Sequence, residues 1–276
     1  MDLQHKRDNV YFDPKIITQK LNYHFIKRNL DLRIQETLAV HPEFRARKDT
    51  CGRSYVYQIV TTKLNLENSY HGKKANKKFM RNYLRGNLLP IHLSNTYHQV
   101  QHEHFNLEQF QDTLSLFEGK HNFRSFCNVN GWVKYIKDKE TGEISQEDLK
   151  DEDFIRHMSS ITVKQVESPL PKSEFNDQFN FYHVIVKGNA FLHNQIRRMV
   201  GISLDVCKGC VQKSEVQKIL EDPWSGFPAR ARPAPPNGLS LLDVHYTEES
   251  LDSATLNYED LPVPVQQHNQ KSDHVE

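Results

Sequence analysis

Apolar and polar positions alternate along RSYVYQIVT (residues 53–61), with Tyr55, Tyr57 and Ile59 on one face, and this period of two predicts a β-strand. NFYHVIVKG (180–188) predicts a second strand. GLSLLDVHY (238–246) predicts a third, delivered by the proline-rich loop PARARPAPP. The period changes to helical in NLEQFQDTLSLFEG (106–119), where Leu107, Phe110, Leu114 and Phe117 form one stripe. Asn106 with Gln109 marks the start of that helix and Gly119 its end. Ser214 with Gln217 reads as a capping pair before a short helix that stops ahead of Pro223. In NAFLHNQIRRMVG (189–201), Phe191, Leu192, Ile196, Met199 and Val200 fall on one predicted helical face, and Arg197 and Arg198 interrupt it.

Strands and helices in mixed order, with alternating rather than continuously apolar strands, predict an α+β fold. The sheet is expected to be mixed and mainly antiparallel, with helices on one face. The chain divides in this reading into residues 1–43, a domain at 44–246 with an insertion around 137–180, and a disordered tail at 247–276 rich in Ser, Glu, Gln and Pro.

Composition adds exclusions. With 276 residues, 37% of them hydrophobic and 26% charged, the chain has the make-up of a globular protein large enough for a substantial core. No apolar run reaches bilayer length, and the start MDLQHKRDNV has no apolar segment behind its basic residues, so an intracellular location is expected. Mitochondrial, cytoplasmic and nuclear compartments are not distinguished. The four cysteines are too sparse for a secreted disulfide framework.

A formal net charge of +1 hides an uneven distribution. HGKKANKKFMRNYLRG (71–86) holds Lys73, Lys74, Lys77, Lys78, Arg81 and Arg85 with no acidic residue, and Phe79 and Tyr83 lie among them. Cations interleaved with aromatic rings suit a phosphate backbone with splayed bases, although a solvated helix face has the same composition. KDKETGEISQEDLKDEDF (137–154) is mostly acidic and polar and is expected to face away from a polyanion.

Neighbouring helical residues point about 100° apart, so Arg197 and Arg198 cannot share a direction. An arginine at a core edge takes a carboxylate or phosphate partner or extends its head to water, and spacing leaves a structural ion pair and a functional cation both open. Cys207-Lys208-Gly209-Cys210 is a CxxC without a second cysteine pair or paired histidines, and Gly209 suits the residue just past a helix end, so packing at that end is the expected role and no metal site is assigned. His183 and His193, both placed by this reading near the arginine segment, are given no chemical role.

Four stretches in series, FRARKDTCGRSYVY (44–57), FEGKHNFRSF (117–126), VKGNAFLHNQIRRMVG (186–201) and PAPPNGLSLLDVHY (233–246), resemble the ordered motifs of the TruA-type tRNA pseudouridine synthases, and most nearly the synthase-like branch of animals. The resemblance covers most of residues 1–246. It implies the pseudouridine synthase fold, tRNA as partner, and isomerisation of uridine to pseudouridine with no metal or organic cofactor. Dimerisation is common in that family, so a homodimer is a further implied expectation.

Site residues carry over by position. The family's tyrosine that lies against the target uracil matches Tyr55, and the arginine that pairs with the nucleophilic aspartate matches Arg197. Arg198 falls on the RNA or solvent side. Leu239 or Leu241 supplies an apolar wall. A flipped uridine received on an aromatic face, with a guanidinium keeping a carboxylate ionised, makes physical sense of these roles. The departure is that no Arg-Thr-Asp-X-Gly segment occurs in these residues. By this alignment the aspartate and the first strands of the N-terminal half-domain would precede Met1, leaving 1–43 as a remnant of that half-domain. Asp2, Asp8, Asp13, Asp31 and Asp49 lack the surrounding motif. The expectation is therefore a synthase-type chain that is inactive as written, with a noncatalytic RNA-binding protein as the alternative.

Overall fold

The computed structural model describes residues 13–40, 43–62, 89–101, 105–128, 150–173, 177, 179–223 and 232–251. The basic segment 71–86, most of the acidic insertion and the tail beyond 251 lie outside the described residues. The chain divides into two compact units, residues 52–245 and residues 1–51 with 246–276.

The larger unit is built on a six-stranded sheet. Its strands are β1 (Thr50–Thr62), β2 (His98–Gln101), β3 (Gly119–Asn122), β4 (Ile155–Val166), β5 (Phe179–Gly188) and β6 (Leu239–Tyr246). They run in the order β2-β1-β5-β4-β3, and β6 also pairs with β1. β1 and β2 are parallel, whereas β1–β5, β5–β4 and β4–β3 are antiparallel. The mixed, mainly antiparallel α+β sheet expected from the sequence is thus observed.

Alternation along β1 and β5 divides the core in two. Tyr57 and Ile59 with Tyr182, Val184 and Val186 join the larger cluster, under α3 (Leu107–Ser115), α4 (Gln195–Cys207) and α5 (Lys213–Glu221). Val60 with Phe179 and Phe181 faces the other way, onto Leu89, Leu93 and Tyr97 around the single-turn helix α2 (Ile91–Ser94). Cross-strand partners such as Tyr57 with Val184 and Val60 with Phe181 share a face, as the pleat requires. Among the described residues, therefore, the long helices of this unit lie on one face and a short turn lies on the other.

Helix boundaries refine the sequence reading. Asn106 accepts from the Gln109 amide at 3.0 Å, as expected, but α3 stops at Ser115, and Gly119, at φ 93°, opens β3 instead of closing the helix. Before α5 the capping residues are Gln212 and Glu215, the Gln212 amide donating to the Glu215 carboxylate at 2.8 Å, rather than Ser214 and Gln217. At the end of α4 the Gly209 amide donates to Val206 and that of Cys210 to Asp205, both at 2.9 Å, with Gly209 at φ 70°. This is a Schellman closure, and it places the CxxC at a helix end as read.

The smaller unit carries α1 (Pro14–Lys27), capped by Asp13, and the single turn α6 (Glu248–Leu251). Asn22 clamps Ile34 through both backbone groups, at 2.7 and 2.8 Å. α1 buries no residue, and Tyr23 and Ile26 are exposed. Among the described residues no helix is long and apolar enough to cross a membrane.

Candidate functional site

The arginine helix begins later than its apolar pattern suggested. Residues 189–194 form a loop, α4 starts at Gln195, and Phe191 and Leu192 leave the helical face assigned to them. The cause is local: Asn194 adopts the left-handed conformation at φ 64° and ψ 6°, which an asparagine tolerates and a continuing helix does not. Buried Gln195 braces the turn, its Oε1 accepting the Leu192 amide at 2.8 Å. The loop lets Phe191 swing against Tyr55 of β1, ring centroids 5.0 Å apart and edge to face at 78°.

Arg197, in the first turn of α4, is half-buried. Its Nε donates to the Ala234 carbonyl at 2.6 Å and its Nη1 to Asn194 Oδ1 at 2.9 Å. The Ala234 amide returns a bond to the Arg197 carbonyl at 2.8 Å, so the proline-rich loop is stitched to the helix at this residue. Beside it the buried Tyr57 donates its hydroxyl to the Pro235 carbonyl at 2.8 Å. Burial pushes the Tyr57 phenol far above its usual range, with the Arg197 charge opposing, so it stays a donor at any physiological pH.

Both partners of the guanidinium are neutral oxygens. Among the described residues no carboxylate pairs with Arg197. The structural ion pair that spacing had left open is not what holds this side chain. Among the described residues its charge is oriented and meets no carboxylate.

Arg197 and Asn194 line a cavity of about 420 Å³ with Tyr55, Phe191, His193, Pro236 and Leu239. Tyr55, Arg197 and Leu239, named from the sequence, thus come together from β1, α4 and β6. Leu241, two residues along β6, is 54% exposed and does not line the cavity. Arg198 points elsewhere, toward Cys127 with Arg124 and Arg156; burial pushes that thiol up to about 11 against the pull of the arginines. His193 lines the cavity, but His183 does not lie near it as read: it is on the opposite sheet face, its Nε2 3.3 Å from the Tyr97 hydroxyl. Of the N-terminal carboxylates, Asp13 caps α1 by accepting from the Lys15 amide, and Asp49 accepts the Arg45 amide at 2.6 Å. The lysines and arginines of 71–86 lie outside the described residues.

Phe191, Asn194 and Ala234 were missed as site residues. The only signals were an asparagine ahead of two arginines and a proline-dense loop; neither says that the two meet.

With the cavity in view, comparison with known proteins is informative. A family model described as tRNA pseudouridine synthase matches residues 114–247. The chain is 23% identical to "tRNA pseudouridine synthase-like 1" of Mus musculus over 253 residues, 89% of this chain and 71% of that protein. It is 23% identical to the Homo sapiens protein of the same name over 259 residues, 93% of this chain and 72% of that one. A bacterial "tRNA pseudouridine synthase A", from Limosilactobacillus fermentum, is 26% identical over 217 residues, 79% of this chain and 63% of its own length.

Proposed function

We propose, from the premise that the chain resembles the TruA-type tRNA pseudouridine synthases over most of its length, that its cavity receives a flipped uridine of tRNA. Tyr55, braced by Phe191, takes the face of the base, Leu239 supplies an apolar wall, and Arg197 is presented to the carboxylate that opens the glycosidic bond. In that reaction the N1–C1′ bond breaks, the base turns, a C5–C1′ bond forms, and the proton at C5 is replaced by one at N1. The aspartate serves as nucleophile or base, and the residues described here supply positioning and charge. The observation that carries the reading is the Arg197 guanidinium, fixed by two neutral oxygens and paired with no carboxylate among the described residues. Such a cation stabilises an incoming carboxylate in its ionised form.

The 276 residues contain no Arg-Thr-Asp-X-Gly segment, so these residues alone are expected to isomerise no uridine. That same observation favours a second reading, an RNA-binding protein without chemistry. Nucleoside mass spectrometry of unmodified tRNA after incubation tests both. The expected result is tRNA binding without pseudouridine, and binding weakened by Tyr55→Ala. Pseudouridine formed by the 276-residue protein and abolished by Arg197→Ala would overturn the expected inactivity while keeping the arginine's role. No binding to tRNA would overturn the function itself.

A further inference from the structure

On the far side of the proline-rich loop from the uridine cavity lies a second cleft, of about 530 Å³, that the proposed chemistry does not use. Its cations among the described residues are Lys208, at the end of α4, and Arg232, within the loop. Asp205 holds Lys208 at 3.1 Å, and both side chains keep access to solvent, at 25% and 37% exposure. Among the described residues two cations stand against one carboxylate, a positive balance. His98, on β2, adds an imidazole that desolvation, with Lys208 opposing its charge, pushes down to about 4. The ring is therefore neutral, and its Nδ1 is buried in the wall with no hydrogen-bond partner among the described residues. A buried polar nitrogen without a partner in a protein cavity is uncommon and marks a place where a ligand or water belongs. Leu204, Val211, Pro233 and Pro235 make the remaining wall apolar.

We propose that this cleft is a nucleotide-binding site, with the phosphate on Arg232 and Lys208, a hydrogen bond to His98, and the sugar and base on the apolar wall. Guanidinium and ammonium together suit a phosphate, and the volume lies in the range of small-ligand pockets. The nucleotide is either free or one residue of an RNA strand, and the two share this chemistry.

The site also has a route to the uridine cavity. Its wall at Ala234 and Pro235 is the backbone whose carbonyls hold Arg197 Nε and the Tyr57 hydroxyl, and Pro236 already lines the other cavity. Gly201 allows this close seating: a Cβ there would fall 2.0 Å from the Arg232 carbonyl oxygen. A ligand that holds Arg232 thus holds the strand of backbone that positions Arg197.

Cys210, an exposed thiol on the cleft, offers a direct probe, and the exposed Cys51 is an internal reference. Alkylation of both would be timed by mass spectrometry with uridine monophosphate or a short uridine-containing RNA. The expected result is a several-fold slowing at Cys210 with Cys51 unchanged, lost in Arg232→Gln and reduced in His98→Gln, and with the mononucleotide kept in Tyr55→Ala. Protection by the mononucleotide assigns a free ligand, and protection by RNA alone assigns a strand; either supports the site. No protection by either, protection indifferent to Arg232→Gln, or mononucleotide protection abolished by Tyr55→Ala would overturn it.

Discussion

Replacing Gly201 by alanine should destabilise the protein, although the same change in an ordinary helix stabilises by about 1 kcal/mol. Gly201 lies in the middle of α4 and is buried beneath the proline-rich loop. An added Cβ meets the Arg232 carbonyl oxygen at 2.0 Å and the Ala234 nitrogen at 3.2 Å, both backbone atoms that no rotamer change can move aside. To reach even 3.0 Å the loop must retreat by about 1 Å. That retreat pulls on the paired bonds between Ala234 and Arg197, at 2.8 and 2.6 Å. Two hydrogen bonds at about 1 kcal/mol each, with overpacking of about 1–3 kcal/mol, outweigh the gain in helix propensity and leave a net loss of about 3 kcal/mol. Urea unfolding followed by far-ultraviolet circular dichroism should show a lower midpoint at unchanged slope. Gly209→Ala is the control: that site has φ 70° and open space around it, so only left-handed strain of about 1–2 kcal/mol applies. A Gly201→Ala protein as stable as the parent, or more stable, would refute the seating of the loop on α4.

Three further outcomes follow from single groups. Tyr57→Phe leaves the Pro235 carbonyl without its 2.8 Å donor and should cost about 1–3 kcal/mol in the same unfolding assay. His98, pushed down to about 4 by burial and by Lys208, binds its proton later than the unfolded chain does. Its contribution is therefore complete above about pH 6.5 and is lost as pH falls toward 4, by about 3 kcal/mol; His98→Phe should flatten that part of the stability-against-pH curve. The buried Cys127 thiol, pushed up to about 11, should stay unreactive toward a chromogenic disulfide in the native protein, while exposed Cys51 and Cys210 react.

What the sequence made legible follows from where each constraint lies. Period-two alternation placed β1 and β5, whose alternate residues meet the two cores on opposite faces, and it placed β6 although none of that strand's residues is buried; Asn106 marked the start of α3 because its cap is made within four residues. α4 was misread because Phe191 and Leu192 are apolar for a tertiary reason, packing at the cavity, and their spacing happens to continue the helical stripe. Asn194 breaks that stripe, yet an asparagine in a helical pattern is unremarkable until its φ is known. The α5 cap was missed because Gln212 is a weak capping type, and the bond forms through Glu215 reaching back to its amide.

The placement of Tyr55, Arg197 and Leu239 in one cavity came from resemblance, since no local rule links residues on β1, α4 and β6. What resemblance did not supply is how the arginine is held. Had a carboxylate of the described residues paired with Arg197, the guanidinium would be a finished structural element with its charge consumed. A backbone carbonyl and an amide oxygen instead fix the Nε and Nη1 hydrogens in space and leave the positive charge in place, close to an aromatic wall of low polarity. A cation near a core edge is costly to the folded state unless an anion offsets it; none of the described residues does so, and the carboxylate of the proposed reaction would. On that proposal the loop from Arg232 to Gly238, which bears none of the reacting groups, serves by position, since its carbonyls fix both the arginine and the buried Tyr57.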